Sequence, residues 1–317
     1  MDTRSALERS LVAICTRNRE VDLNDCVLSI TRNYPNLPVL VADSSDDHIW
    51  KINEENMKMY ANVIHLKATP GLTVQRNFCL EFARKRTEQF SYIHFLDDDA
   101  EVHPGYFLSI CDLFDTENVD GVTGAAQTEP YDNPSRISRF FGLTSGRMGS
   151  VSKSGIPRYV SGSPTERFKV NWLSGCSMSY SMESITGLYF DTRLSAYSLA
   201  EDLWFSFLLS GNNQMFYEPN AKYIHKKSET NRLSNSHKNR CEKSHRMLFV
   251  KENRDNFSLK AYWWSFLGEQ LILFGKSILR PRRGSHVLAL WNNFKLLPKL
   301  VRANSELICD CSKGSKR

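Results

Sequence analysis

The chain has 317 residues, 41% hydrophobic and 24% charged, which suits one large α/β domain with an appendage and excludes a disordered or low-complexity chain. No stretch reaches the ~18 uninterrupted apolar residues of a membrane-spanning helix, and Met1–Ser10 lacks an apolar core of signal-peptide length, so a cytoplasmic chain is expected. The net charge of +6 conceals an asymmetry: from Lys222 onward 21 Lys and Arg face 7 Asp and Glu, whereas residues 1–221 hold 20 against 28, so the two parts meet different environments.

Leu11–Thr16 reads as a buried strand. Leu23, Cys26, Val27 and Ile30 follow at helical spacing, and Pro35 and Pro38 end that helix. Val39–Ala42 is the next strand and stops at Asp43. Val63–Leu66 is a third, and Pro70-Gly71 then opens a helix carrying Val74, Phe78, Leu80, Phe82 and Ala83. Tyr92–Leu96 runs straight into Asp97-Asp98-Asp99. This strand–helix alternation predicts a mostly parallel, Rossmann-like sheet flanked by helices, with ligands at the carboxyl ends of the strands. Thr16-Arg17-Asn18-Arg19, Asp43-Ser44-Ser45-Asp46 and Asp97–Asp99 are then candidates for one shared site.

The segment 142–168 is rich in Gly, Ser and Pro and reads as a mobile loop of the kind used as a lid or binding loop. Order is expected again at Val170–Leu173, at Leu203–Leu209 and in two short runs, Met215–Tyr217 and Ala221–Ile224. The eight Cys show no paired spacing, and Cys15, Cys79 and Cys111 sit in apolar surroundings, which argues against a disulfide framework or a zinc site. The chain then ends in amphipathic helices. Tyr262–Leu279 carries a wide apolar face with a narrow polar stripe of Ser265, Glu269 and Lys276, and Arg280-Pro281-Arg282-Arg283 breaks it. The next helix sets Val287, Leu290, Phe294, Leu297 and Val301 against Asn292, Lys295, Lys299 and Arg302. Apolar faces beside purely basic ones suit an anionic membrane surface. A helical subdomain packed on the sheet, or a homodimer interface, is the plainer reading of the same pattern.

Three consecutive carboxylates at a strand end repel one another, and a hard divalent ion such as Mg²⁺ or Mn²⁺ offsets that cost. Strand alternation would turn Asp97 and Asp99 one way and Asp98 the other. A solvated acidic turn is the bland alternative. Glu201-Asp202 opens a helix, where acidic residues also serve the helix dipole. His225 ends a strand, a place where histidine is commonly structural.

Taken in order, these pieces resemble the inverting glycosyltransferases of family 2, which have the GT-A fold. The resemblance runs from Leu11 to about Asn256 and includes Thr16-Arg17-Asn18-Arg19, Asp43-Ser44-Ser45-Asp46, Pro70-Gly71…Arg76-Asn77 and Phe95-Leu96-Asp97-Asp98-Asp99-Ala100-Glu101. It continues through Trp172–Ser179, Gly187–Asp191, Tyr197…Glu201-Asp202 and Gly211…Tyr217-Glu218-Pro219-Asn220-Ala221…His225. It implies a catalytic domain over 1–256, with a nucleotide-binding half over 1–125 and an acceptor half over 126–256, leaving 257–317 as a basic tail. In that frame Asp43 bonds the nucleoside base and Asp97 the ribose, with Thr16, Arg17, Asn18 and Asp98 in the same nucleotide site and Arg76 reaching phosphate. Asp99 and His225 hold Mn²⁺ or Mg²⁺ on the diphosphate. Asp202 is the general base, with Asp191 and Glu201 the next candidates. Trp172, Gly175, Cys176 and Glu201 border the sugar and acceptor.

Two departures narrow the resemblance. Trp204 and Leu208 stand where relatives often carry an acid and an arginine, and the Q-x-x-R-W motif of processive synthases is absent, so one sugar or a few would be added. The implied partners are a nucleotide-diphosphate sugar and a saccharide acceptor. The basic tail suggests a polyprenyl-diphosphate-linked acceptor at the inner face of a membrane, in cell-surface polysaccharide or glycan biosynthesis. A nucleotidyltransferase-like enzyme would need a Gly-rich turn after the first strand, which Thr16–Arg19 lacks. A nucleic-acid-binding protein would explain the basic third of the chain but not three aspartates at a strand end.

Overall fold

Alternation along the first strands sets the architecture. β1 (Ser10–Thr16) sends Val12 and Ile14 into one apolar cluster and Leu11 and Ala13 into another. β2 (Val39–Asp43) divides Val39 and Val41 from Leu40 and Ala42 in the same way. Side chains that alternate and are all buried require cover on both faces. That cover comes on one side from α1 (Glu20–Asn33), which buries the four residues its spacing predicts, and on the other from α3 (Leu72–Arg84), which starts after Gly71. Gly71 has φ 128°, a conformation that a side chain would strain. These features come from a computed structural model that describes residues 5–194, 198–209, 214–228, 234–279 and 285–302. Tyr197, Gly211 and Arg280–Arg283 lie outside the described residues.

The remaining strands are β3 (Val63–Lys67), β4 (Tyr92–Asp97), β5 (Ala100–Val102), β6 (Gly121–Ala126), β7 (Phe168–Lys169), β8 (Ser177–Ser181) and β9 (Met215–His225). They form one sheet in the order β3-β2-β1-β4-β8-β6-β9-β5, with β7 on β9. The run β3-β2-β1-β4 is parallel, and the sheet becomes mixed beyond β4. Register brings the strand ends together: Thr16 lies opposite Asp43, Cys15 opposite Asp97, Leu96 opposite Ser177 and Ala100 opposite His225.

Several details depart from sequence expectation. The helices α2 (Asp47–Met57) and α4 (Tyr106–Thr116) are additional. Order before β8 comes as β7 at Phe168–Lys169, and Val170–Leu173 is irregular. The two runs around Pro219 form one strand. Pairing of β6 with β9 jumps from Thr123–Tyr217 to Ala125–Lys222, so Pro219 sits in an irregularity that needs no ladder N–H. Within 142–168, Gly149–Arg158 turns back on itself through paired backbone bonds and a bridge between Val151 and Pro157.

The chain divides into two compact units: Met1–Asp132 with Val160–Thr192 and Glu201–Asn231, and Asn133–Tyr159 with Arg193–Ala200 and Arg232–Arg317. The first contains the whole sheet and α6 (Glu201–Leu208). The second contains α5 (Arg136–Phe140), α7 (Asn235–Glu252), α8 (Leu259–Leu279) and α9 (Ser285–Arg302). In α8 two of the three residues of the expected polar stripe turn inward, with Lys276 exposed: Ser265 is fully buried, and Glu269 pairs with Lys243 at 2.7 Å and Arg246 at 3.1 Å on α7. Trp264, Leu267, Leu271, Phe274 and Ile278 are exposed, and α9 exposes Val287, Trp291, Phe294 and Val301. Among the described residues, no helix is long and apolar enough to cross a membrane.

Candidate active site

The loops after β1 and β2 are laced together. Asn18 takes φ 54°, a left-handed conformation that asparagine tolerates. Its side-chain amide donates to Asp46 Oδ2 at 2.9 Å and its Oδ1 accepts from the Asp46 N–H, while its own N–H donates to Ser45 Oγ at 2.8 Å. Beside it Arg17 is half open to solvent and lies 3.9 Å from Asp46. Gln75 of α3 donates to the carbonyls of Thr16 and Ala42, fixing both strand ends to one helix.

Asp43 lies deeper than the resemblance implies. It is fully buried, and its carboxylate accepts from Ser45 N, Asn53 Nδ2 and His65 Nε2 at 2.7–2.9 Å. Burial pushes its carboxyl up, but these three partners outweigh that and hold it below the ordinary aspartate value. Three protein donors hold the Asp43 carboxylate in place beneath the loop after β2, where the resemblance expects contact with a nucleoside base.

The aspartate run separates into three environments. β4 ends at Asp97, and Asp98 and Asp99 lie in the turn before β5, outside strict strand alternation. Asp98 is buried, accepts from Thr16 Oγ1 at 2.7 Å and from Arg19 Nη1 at 2.8 Å, and is pushed up to about 7 by that burial. It therefore braces the loop after β1 instead of facing a ligand. Asp97 keeps 34% of its side chain open. Asp99 accepts the Ser228 N–H through Oδ2 at 2.9 Å. Its Oδ1 is buried without a hydrogen-bond partner and lies 3.2 Å from His225 Nε2.

That buried oxygen, with the His225 imidazole beside it, suits a cation held between the two. His225 also gathers with Asp97 and Cys176, one donor atom from each lying within 4.8 Å of the others. Carboxylate, imidazole and thiol are metal-ligating types, so the residues present suit a divalent ion. Cys176, expected to border the sugar, stands with this group.

The fourth part sits where α6 begins. Arg76 of α3 is buried and forms an ion pair with Glu201, donates to the Gly175 carbonyl at 3.0 Å and reaches Asp97 at 3.4 Å. Its guanidinium, expected to meet phosphate, holds these three acceptors together. Asp202 Oδ2 accepts from the Gly175 N–H at 2.8 Å, and Oδ1 from the Leu203 N–H at 2.7 Å. Burial raises the Asp202 carboxyl, against the Gly175 N–H and Arg76. A Cβ at Gly175 would lie 3.2–3.3 Å from Asp202, Glu201 and Arg76, so a side chain there would press these groups aside by a few tenths of an ångström. Trp172 is buried.

The structure therefore joins Asp97, Glu201, Asp202 and Gly175 through Arg76, and joins Asp99 and Cys176 through His225. Sequence reading did not identify Asn53 and His65 beneath Asp43, or Arg19 on Asp98.

The family described as glycosyl transferase family 2 matches residues 11–179, more than half of the chain. Among solved structures, the crystal structure of GalNAc-T7 with UDP, GalNAc and Mn²⁺ shares 16% identity at a TM-score of 0.53, covering 69% of this chain and 44% of that one. The chain thus spans less than half the length of that relative. The crystal structure of S. aureus TarS 1–349 shares 15% identity at a TM-score of 0.51, covering 97% of this chain and 90% of that one. At these identities the likeness is one of fold. No curated protein sequence matches the chain significantly.

Proposed function

Because the chain belongs to glycosyl transferase family 2, we propose that it transfers a sugar from a nucleotide-diphosphate donor to a saccharide hydroxyl with inversion, with Asp202 as the base. The observation that carries this reading is the Arg76 bridge, which ties Asp97 at the end of β4 to the Glu201-Asp202 pair that opens α6.

The acceptor hydroxyl attacks the anomeric carbon. A new carbon–oxygen bond forms as the bond to the diphosphate breaks on the opposite face, and the hydroxyl proton passes to Asp202. Raising Asp202 by burial brings a carboxylate nearer to the pH at which it works as a base. The Gly175 and Leu203 N–H groups orient the Asp202 carboxylate, one on each oxygen, and Glu201 pairs with Arg76. Asp99 and His225 would hold a divalent ion, which supplies charge neutralisation at the departing diphosphate. Partly open Asp97, together with Arg17 and Asn18, falls to the donor.

The same proposal gives α8 and α9, within residues 257–317, to a membrane surface on the cytoplasmic side. Exposed apolar stripes on both helices, beside exposed Lys276, Lys295, Lys299 and Arg302, support it. The acceptor at such a surface would be polyprenyl-diphosphate-linked, and without Q-x-x-R-W transfer would stop after one sugar or a few.

A panel of nucleotide sugars and nucleoside diphosphates with Mn²⁺ or Mg²⁺ tests the donor class. One nucleotide should raise the unfolding temperature, because a ligand of the folded state stabilises it. Its sugar form should be consumed, and excess EDTA should abolish turnover. A panel in which no nucleotide stabilises the fold would contradict the proposal.

A further inference from the structure

Cys176 occupies a place that a magnesium site does not need. It precedes β8, whose pairing with β4 sets Ser177 beside Leu96 and so brings the thiol to the Asp97 end of that strand. His225 reaches the same point from the end of β9, across from Ala100. Asp97, Cys176 and His225 offer oxygen, sulfur and nitrogen donors within 4.8 Å of one another, and all three are partly open to solvent. Donors on one ion at about 2.0–2.3 Å from it lie roughly 3.3–4.5 Å apart, so a small closure would seat an ion. Asp99 Oδ1, buried without a hydrogen bond and 3.2 Å from His225 Nε2, stands ready as a fourth donor.

The sulfur is also prepared. The Tyr223 hydroxyl donates to Cys176 Sγ at 3.5 Å, and Ser174 Oγ lies 3.2 Å from it. Such outer partners orient a ligand and favour its anionic form. Thiolate and imidazole prefer zinc-class ions, whereas magnesium keeps to oxygen.

We propose that Asp97, Cys176 and His225, with Asp99, form a thiolate-containing site that takes a zinc-class divalent ion directly onto the chain, without nucleotide. Binding forms a metal–sulfur bond and breaks the S–H bond, and the proton leaves to solvent. This deepens the metal reading above, and rests on it only for the placement of Asp99 and His225. The site would then discriminate among ions by softness, and a zinc-class ion would compete with Mn²⁺ or Mg²⁺ for the same groups.

The test uses the full chain without nucleotide. Titration with Co²⁺, a spectroscopic stand-in for zinc, should produce a near-ultraviolet thiolate-to-cobalt absorption that Zn²⁺ displaces and excess Mg²⁺ leaves in place. Cys176→Ser should lose that band and weaken Co²⁺ binding by at least the roughly 10–100-fold that loss of an outer partner costs. A second measurement needs no variant: Zn²⁺ should protect Cys176 of the wild-type chain from alkylation, mapped by mass spectrometry, and Mg²⁺ should not. Co²⁺ bound without a sulfur band, or Cys176 alkylated equally with and without Zn²⁺, overturns the thiolate site and leaves an oxygen–nitrogen metal site standing. Absence of binding by Co²⁺, Zn²⁺ and Mn²⁺ alike overturns this inference, and the metal assignment falls with it only if Mn²⁺ also fails to bind when a nucleoside diphosphate is present.

Discussion

Arg76 shows how much depends on one buried side chain. It is 2% exposed and shared among Glu201, Asp97 and the Gly175 carbonyl. Replacing it by methionine would leave Glu201 buried without its partner, and burial, which already raises that carboxyl to about 8, would then drive it to take up a proton. Breaking a buried pair in this way costs about 3–5 kcal/mol, so Arg76→Met should lower the unfolding free energy by that much in urea titrations and reduce turnover as well. Gly175→Ala is subtler. The new methyl group would press on Asp202, Glu201 and Arg76 at 3.2–3.3 Å. Stability should change little, while turnover should fall by up to about 10²-fold, the effect of a small misplacement near reacting atoms. Steady-state kinetics beside thermal unfolding separates the two effects. The sequence made Asp97, Asp99, Asp202 and His225 visible, because carboxylates at strand ends and helix starts are conspicuous. It did not show that Asp98 and Asp43 face inward, because burial depends on Thr16, Arg19, Asn53 and His65, which approach from other parts of the fold.

At the scale of elements, strands and helices were legible wherever one period dominated. β1, β2 and α1 each carry a regular apolar repeat and appear where expected. α8 was legible as amphipathic but not in its orientation, because Glu269 finds its cations on α7. Burial alone would raise the Glu269 carboxyl, yet Arg246 and Lys243 hold it below its ordinary value. Glu269→Ala would strand two buried cations and should cost about 3–5 kcal/mol, measured by urea unfolding. On β4, His94 bonds Ser179 and Ser10 through its two ring nitrogens and is driven down to about 3 by burial. In the unfolded chain it protonates near pH 6.5. Its contribution to stability is therefore complete above about pH 6.5 and is lost as pH falls toward 3, by at most about 1.4 kcal/mol per pH unit. His94→Gln should flatten that part of the pH–stability curve, and an unchanged slope would show that His94 is not the group responsible.

For the whole molecule, the charge asymmetry separates two kinds of work. The acidic part of the sequence holds the strand-end carboxylates, and the basic part supplies α8 and α9. Removing everything after Asn256 is a poor test of membrane contact, since Tyr262 and Phe266 of α8 are buried and Tyr262 donates to the Lys243 carbonyl on α7. Substitutions on the exposed stripe are cleaner. Leu271→Glu with Phe274→Glu should release the chain from anionic vesicles without changing its unfolding temperature. Reversing Lys295, Lys299 and Arg302 should weaken vesicle binding by roughly 1 kcal/mol for each charge removed. A chain that instead forms dimers through these stripes would lose its dimer with the first pair of substitutions and show no vesicle binding before them.

The central claim is that Asp202 takes the acceptor's proton in a nucleotide-sugar transfer. It is tested most directly by measuring turnover and donor affinity side by side for the wild-type chain and Asp202→Asn, with the nucleotide sugar that the panel identifies. The amide keeps the shape and removes the proton acceptor. Turnover should fall by about 10²–10⁴-fold, the usual share of general base catalysis, while donor affinity stays within a few-fold of wild type. A variant that turns over at the wild-type rate would place the base elsewhere and contradict the account.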